Sequence, residues 1–329
     1  MTPSAVLLFP GLDAYSAGAL RQAREEFPAI GDMVAQIDDA ATAHGLPRLS
    51  NALFDGPPLS LADLTSRSPA LAELAVFATS LITARVLIAQ GLRPALMGHS
   101  FGEIAALAAA GALTSADAVT LVLARSTAFD TIRGEGAMAV VGAGEADVTK
   151  LLTGLDRADV SIACVNTPTQ CVISGPAESV DSASGASRKL GIACTPLALP
   201  YAAHCPGARA ASRYFLDLIA SVRQKPLQHP VFSPVRSRWY QDGDDIRQAL
   251  AECMHRPVYF SDAVGALHAA GIRVFIEAGA RRSLTRYARE TLAGAGAVKF
   301  IAPLLDPAAE SENLRLAAAR PAAVPVASE

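Results

Sequence analysis

Short runs of consecutive apolar residues alternate along the chain with segments whose apolar positions recur every three or four residues. This is the pattern of an α/β protein built on a mainly parallel sheet. Ala5 to Phe9 is the first predicted strand, ended by Pro10-Gly11. Ala95-Leu96-Met97 is another, with further strands at 231–234, 274–277 and 298–301. The helical period predicts helices over 17–27, 70–90, 101–110, 115–129, 207–223, 246–253, 261–270 and 283–292.

Between 134 and 198 the texture changes. Four short strands (138–141, 160–165, 171–174 and 192–197) interleave with helices over 146–155 and 177–190, in the β-α-β-β-α-β order of a ferredoxin-like lobe. The expected organisation is one catalytic domain made of 1–130 and 199–305, with the lobe 131–198 inserted in it. The Ala/Pro-rich end predicts a mobile tail over 306–329.

Composition narrows the function classes. The chain has 329 residues, is 51% hydrophobic and carries a net charge of -3, and its Lys and Arg form no run. Neither a nucleic-acid footprint nor a membrane patch is expected. Five cysteines, an odd number with no C-x-x-C pair, and a start that leads straight into a strand predict a reducing cytoplasm. The most apolar stretch, 74–89, is interrupted by Thr79, Ser80, Thr83 and Arg85, which predicts a buried helix rather than a bilayer span.

Candidate chemistry begins at Gly98-His99-Ser100-Phe101-Gly102-Glu103, where a serine stands between two glycines as a strand turns into a helix. That is the context of a nucleophile elbow: small flanking residues let the hydroxyl project, and the helix start offers N–H groups to a developing oxyanion. The competing reading is a Ser-x-x-Glu capping box, which Ser100 and Glu103 also satisfy. A serine nucleophile needs a base, and the chain has six histidines. His204 stands just before a helix opened by Pro206, where the dipole disfavours imidazolium and keeps a neutral base. The alternative is a histidine that merely caps its helix. Arg125 shares an apolar stripe with Ala118, Leu121, Val122 and Phe129, and no acid stands three or four residues away. A buried charge requires a partner, so a distant carboxylate or a ligand carboxylate is expected to meet its planar fork.

These residues carry a resemblance that covers the chain from Phe9-Pro10-Gly11 to about Leu305: it is similar to the malonyl-CoA:acyl carrier protein transacylases, the acyltransferase family of fatty acid and polyketide synthesis. The resemblance implies an α/β-hydrolase-like large domain with a ferredoxin-like small lobe. It makes Ser100 the acylated serine, His204 the catalytic histidine and Arg125 the holder of a malonyl-type carboxylate. It places the oxyanion hole on the backbone N–H groups of Leu12 and Phe101, and Asn166, Tyr201 and Ser68 around the acyl group. In Arg256-Pro257-Val258-Tyr259-Phe260, backbone carbonyls would orient the histidine in place of an aspartate, with Tyr259 assigned that role. It implies acyl-CoA as substrate, an acyl carrier protein with its phosphopantetheine arm as partner, and no bound metal or cofactor.

Two departures from the family pattern bear on specificity. Leu12 and Ser68 stand where the family keeps glutamines, which points towards a larger or unusual acyl group. Tyr201-Ala202-Ala203-His204 is closer to the Y-A-S-H of methylmalonyl-selecting enzymes than to the malonyl H-A-F-H, yet Phe101 is not the glutamine those enzymes carry after the serine. With no carrier-type serine motif or ketosynthase cysteine motif, the chain is expected to serve, in trans, a synthase lacking its own acyltransferase. The alternatives are a transferase taking an unusual acyl group from a carrier protein, a proofreading acyl-carrier thioesterase, and a non-catalytic docking subunit.

Overall fold

Ala5–Phe9 (β1) is buried at every position, as a strand covered on both faces must be. In the computed structural model, which describes residues 3–155 and 157–319, it lies at the centre of a parallel sheet. Ala95–Gly98 (β2) pairs with it on one side and Val274–Glu277 (β10) on the other; Val231–Ser233 (β7) adds beyond β2 and Lys299–Ile301 (β11) beyond β10. The register sets Phe9 beside Gly98 and Leu8 beside Glu277, so the loops leaving these three strands emerge together at the carboxyl edge, where open α/β sheets place their chemistry.

The described residues divide into two compact units. The first draws on Met1–Leu123, Arg223–Phe232 and Ala266–Glu329, the second on Ala124–Val222 and Ser233–Gly265. In the first, helix Pro69–Ala89 starts as its sequence dictates, with proline at the first turn and the Ser68 hydroxyl accepting the Leu71 N–H at 3.3 Å. Among the described residues it is the one helix long and apolar enough to cross a membrane, and it is a core helix, buried from Leu71 through Leu87 at all but a few positions.

Three helices of this unit were not predicted: Ala29–Ala43, Leu49–Leu53 and Leu61–Arg67. The helix predicted over 17–27 is shorter, Arg21–Glu26, because Leu20 before it has φ +68°. The expected tail over 306–329 is corrected for its described part. Glu310–Ala319 is a helix, and the buried Glu310 carboxylate accepts the N–H groups of Leu20 (2.8 Å) and Ala23 (3.3 Å), which the start of helix Arg21–Glu26 leaves unsatisfied. Leu314 and Ala317 are buried alongside. The rest of that expectation, 320–329, lies outside the described residues.

Glu277, at the end of β10, is fully buried and accepts the N–H groups of Leu284 (3.0 Å) and Thr285 (2.7 Å), holding the start of helix Ser283–Thr291. Burial, with a smaller contribution from Asp13, pushes its carboxyl from 4.5 up to about 7. The unfolded chain ionises at the ordinary value and the folded chain only at the raised one, so this group costs stability as pH rises from about 4.5 to about 7, by at most roughly 3 kcal/mol. Glu277→Gln should flatten the fall in melting temperature between about pH 5 and about pH 8; an unchanged slope would refute the assignment.

The second unit carries the ferredoxin-like lobe in the predicted order. Ala137–Val141 (β3), Ser161–Thr167 (β4), Gln170–Gly175 (β5) and Cys194–Pro196 (β6) form an antiparallel sheet in the order β6-β3-β5-β4, with helices Glu145–Gly154 and Ala177–Lys189 between strands. Ala139, Val141, Val148, Ile173 and Val180 are among its core. Arg238–Trp239 (β8) is a two-residue strand, and Val258–Tyr259 (β9) adds to the lobe's sheet in parallel with β4. That fifth strand is one reason the compact unit reaches beyond the expected 131–198 and takes in 199–222 and 233–265.

Candidate active site

The turn after β2 is built by steric exclusion. A Cβ on Gly98 would fall 2.3 Å from Glu103 Cα, and one on Gly102 would fall 2.0 Å from the Phe9 carbonyl oxygen, so neither position accepts a side chain. The backbone closes tightly, with His99 N–H donating to Phe9 O (2.9 Å), Gly102 to His99 O (3.0 Å) and Glu103 to Ser100 O (3.0 Å). Between them Ser100 has φ +54°, a left-handed conformation that costs a non-glycine residue about 1–2 kcal/mol. The capping-box reading does not hold. The helix is Gly102–Ala109 and its N-cap is Phe101, so Ser100 and Glu103 do not stand at the N-cap and N3 positions that the box requires. Gly102→Ala should therefore cost about 3 kcal/mol or more and displace the serine, read as a lower melting temperature with lost acylation; a variant as stable as the parent would contradict this packing.

The loop that leaves β1 runs beside this turn. Gly11 is close enough that a Cβ there would lie 3.8 Å from the His99 carbonyl oxygen, and Leu12 opens a single 3-10 turn, Leu12–Ala14. Leu12 is thus the first residue of a 3-10 turn and Phe101 the N-cap of a helix, both just past strands that end at the sheet's carboxyl edge. Ser68, also in this unit, caps helix Pro69–Ala89.

In the second unit, His204 is buried and has φ +58°, another strained position. Its N–H donates to Met254 O at 2.8 Å, and its Nδ1 lies 3.1 Å from Arg256 O. A carbonyl only accepts, so this contact assigns the proton to Nδ1 and makes Nε2 the ring's accepting nitrogen. The orienting carbonyl belongs to the segment the sequence indicated, but to Arg256. The Tyr259 backbone, to which that role was assigned, pairs with Val165, and its N–H donates to Pro234 O at 3.0 Å.

Arg125 lies on helix Ser115–Asp130 and is 7% exposed. Its guanidinium carbon sits 4.6 Å from the centre of the Phe129 ring, four residues on along the helix. The opposite partner of that ring is Tyr201, stacked at 4.3 Å with 14° between planes. Asn166, buried in β4 at a register shift between Val165 and Thr167, has Nδ2 3.4 Å from Gln170 Oε1. Arg125, Tyr201 and His204 therefore belong to one unit with Asn166, and Ser100, Leu12, Phe101 and Ser68 to the other. The sequence reading missed Arg256 O and the part played by Phe129; for the latter the only sequence signal was its four-residue spacing from Arg125.

A serine elbow at the carboxyl edge of a parallel sheet, accompanied by a ferredoxin-like lobe, defines an acyltransferase-type fold. The acyl transferase domain family matches residues 28–323, and the chain belongs to it. It is 32% identical over 300 residues to the spectinabilin polyketide synthase system protein NorB of Streptomyces orinoci, a match covering 87% of this chain but only 13% of that much longer protein. It is 30% identical over 285 residues to the malonyl CoA-acyl carrier protein transacylase of Bacillus subtilis, covering 84% of this chain and 87% of that enzyme. Among solved structures, the malonyl-CoA:acyl carrier protein transacylase of Xanthomonas oryzae pv. oryzae superposes with a TM-score of 0.83 at 30% identity, over 96% of this chain and 99% of the other.

Proposed function

We propose that the protein moves a malonyl-type acyl group from CoA to the phosphopantetheine thiol of an acyl carrier protein, through an acyl-enzyme on Ser100, in polyketide biosynthesis. Ser100 Oγ attacks the thioester carbonyl as His204 takes its proton. The N–H groups of Leu12 and Phe101 receive the oxyanion, and the CoA thiol leaves with the proton that His204 returns. The carrier thiol then attacks the acyl-serine by the same route in reverse. Arg125 holds the free carboxylate of the acyl group, with Asn166, Tyr201 and Ser68 around it. No metal or redox group enters these steps.

The observation that carries this reading is Ser100 held at φ +54° between two glycines that no other residue can replace. Family membership and likeness to the B. subtilis transacylase support the acyl-CoA and carrier-protein partners. The five free cysteines suit a reducing cytoplasm. The apolar Leu12 side chain, and a Ser68 hydroxyl engaged with Leu71 N–H, favour as a second reading a larger acyl group in place of plain malonyl.

The test is a competition among malonyl-, methylmalonyl-, acetyl- and a longer acyl-CoA in the presence of holo carrier protein, with the mass of the carrier as readout. Carboxylated groups should be loaded onto the carrier in preference to acetyl. Release of free acid with the carrier left empty would replace this reading with a thioesterase.

A further inference from the structure

We propose that Phe129 is the positioning residue for Arg125, and that through the same ring it ties recognition of the acyl carboxylate to the segment that carries His204. The proposal rests on Arg125 being the carboxylate-binding residue.

One face of the buried Phe129 ring holds the Arg125 guanidinium, 4.6 Å from its centre, and the ring stacks with Tyr201 at 4.3 Å. A desolvated guanidinium is held over an aromatic face by the ring's quadrupole, which is stronger here than in water. The arginine side chain, otherwise rich in rotamers, is thereby ordered before any substrate arrives, so less freedom is left for the carboxylate to remove. The stack also fixes Tyr201, three residues before His204, in a stretch already anchored by Gly134 N–H on Pro200 O (2.6 Å) and His204 N–H on Met254 O. Phe129 is thus the common support of the group that recognises charge and of the chain leading to the base. An aliphatic residue could fill the volume but would offer no electrostatic face to the cation and no plane to Tyr201.

Phe129→Leu should lower the malonyl-over-acetyl ratio of kcat/KM by roughly three- to tenfold, mainly through a raised KM for malonyl-CoA. Because that variant also leaves a gap in a buried site, the deciding series replaces Phe129 with phenylalanines carrying one to three ring fluorines, which weaken the quadrupole at nearly constant volume. The ratio should fall stepwise with fluorination while the melting temperature stays near that of the parent. Arg125→Ala runs alongside. A ratio unmoved by fluorination but lowered by Arg125→Ala overturns the role of Phe129 and leaves the carboxylate reading standing. A ratio unmoved by Arg125→Ala overturns the carboxylate reading itself, and the proposal with it.

Discussion

Replacing His204 with alanine should slow the proposed acylation of Ser100 by roughly 10²–10⁴-fold, the range for loss of a positioned general base. The expectation follows from the ring's tautomer. Arg256 O, 3.1 Å from Nδ1, can only accept, so it holds the proton there and leaves Nε2 as the nitrogen the proposed base would use. A carbonyl dipole does this without the full charge of an aspartate, so the histidine needs precise backbone support, which the Met254 carbonyl supplies through the His204 N–H. The check is the rate of acyl-enzyme formation in single-turnover experiments, with melting curves to show that the variant folds. A rate within a few-fold of the parent would remove His204 from the mechanism.

Arg125→Ala is expected to shift donor preference. A charge-assisted, two-pronged contact to a carboxylate is worth on the order of 1.5–3 kcal/mol, so kcat/KM for malonyl-CoA relative to acetyl-CoA should fall by roughly ten- to a hundredfold. The competing role is structural. If the guanidinium serves a distant acid of the protein, its removal leaves a buried charge unpaired, lowers the melting temperature and depresses all donors alike. The stack on Phe129 should keep the two outcomes separable, because Tyr201, stacked on that ring at 4.3 Å, supports it independently of the arginine. An unchanged ratio with a large drop in melting temperature would refute the carboxylate role and favour a larger uncharged acyl group.

What the sequence disclosed and what it hid follow from the range of the interactions involved. β1, β2, β7 and β10 were legible because each is a short run buried at every position, and the βαββαβ lobe because its strands and helices alternate at short spacing. Helix Ala29–Ala43 was not, although Ile30, Val34 and Ile37 lie on its buried side, because Asp38 interrupts that stripe. The Asp38 carboxylate is tolerated there by accepting the N–H of Ser50, at 3.0 Å, and its hydroxyl, a partner in the next helix that no local pattern announces. The C-terminal helix was mistaken for a tail for the same reason: its anchor, Glu310, satisfies N–H groups 290 and 287 residues earlier in the chain.

The site divides along the same line. Ser100 was legible because the glycines and the backbone turn that strain it all lie within a few residues, with only the contacts to the Phe9–Gly11 segment coming from afar. His204 and Arg125 could be singled out as residue types in unusual surroundings. Which carbonyl orients the histidine could not be read, since every residue offers one and the choice of Arg256 over Tyr259 depends on Tyr259 joining β4 as a strand. Phe129 was visible only as an aromatic one turn from an arginine; its stacking partner, Tyr201, comes from beyond the whole inserted lobe.

The central claim is that Ser100 carries the acyl group. The protein and its Ser100→Ala variant are incubated with malonyl-CoA, digested and mapped by mass spectrometry, with a second sample of each chased with holo acyl carrier protein before digestion. One malonyl group is expected on the peptide containing Ser100 in the parent, lost in the chased sample as the carrier gains the same mass, with no adduct in the variant. An adduct that persists in Ser100→Ala, or one on any other residue that discharges to the carrier, would contradict it.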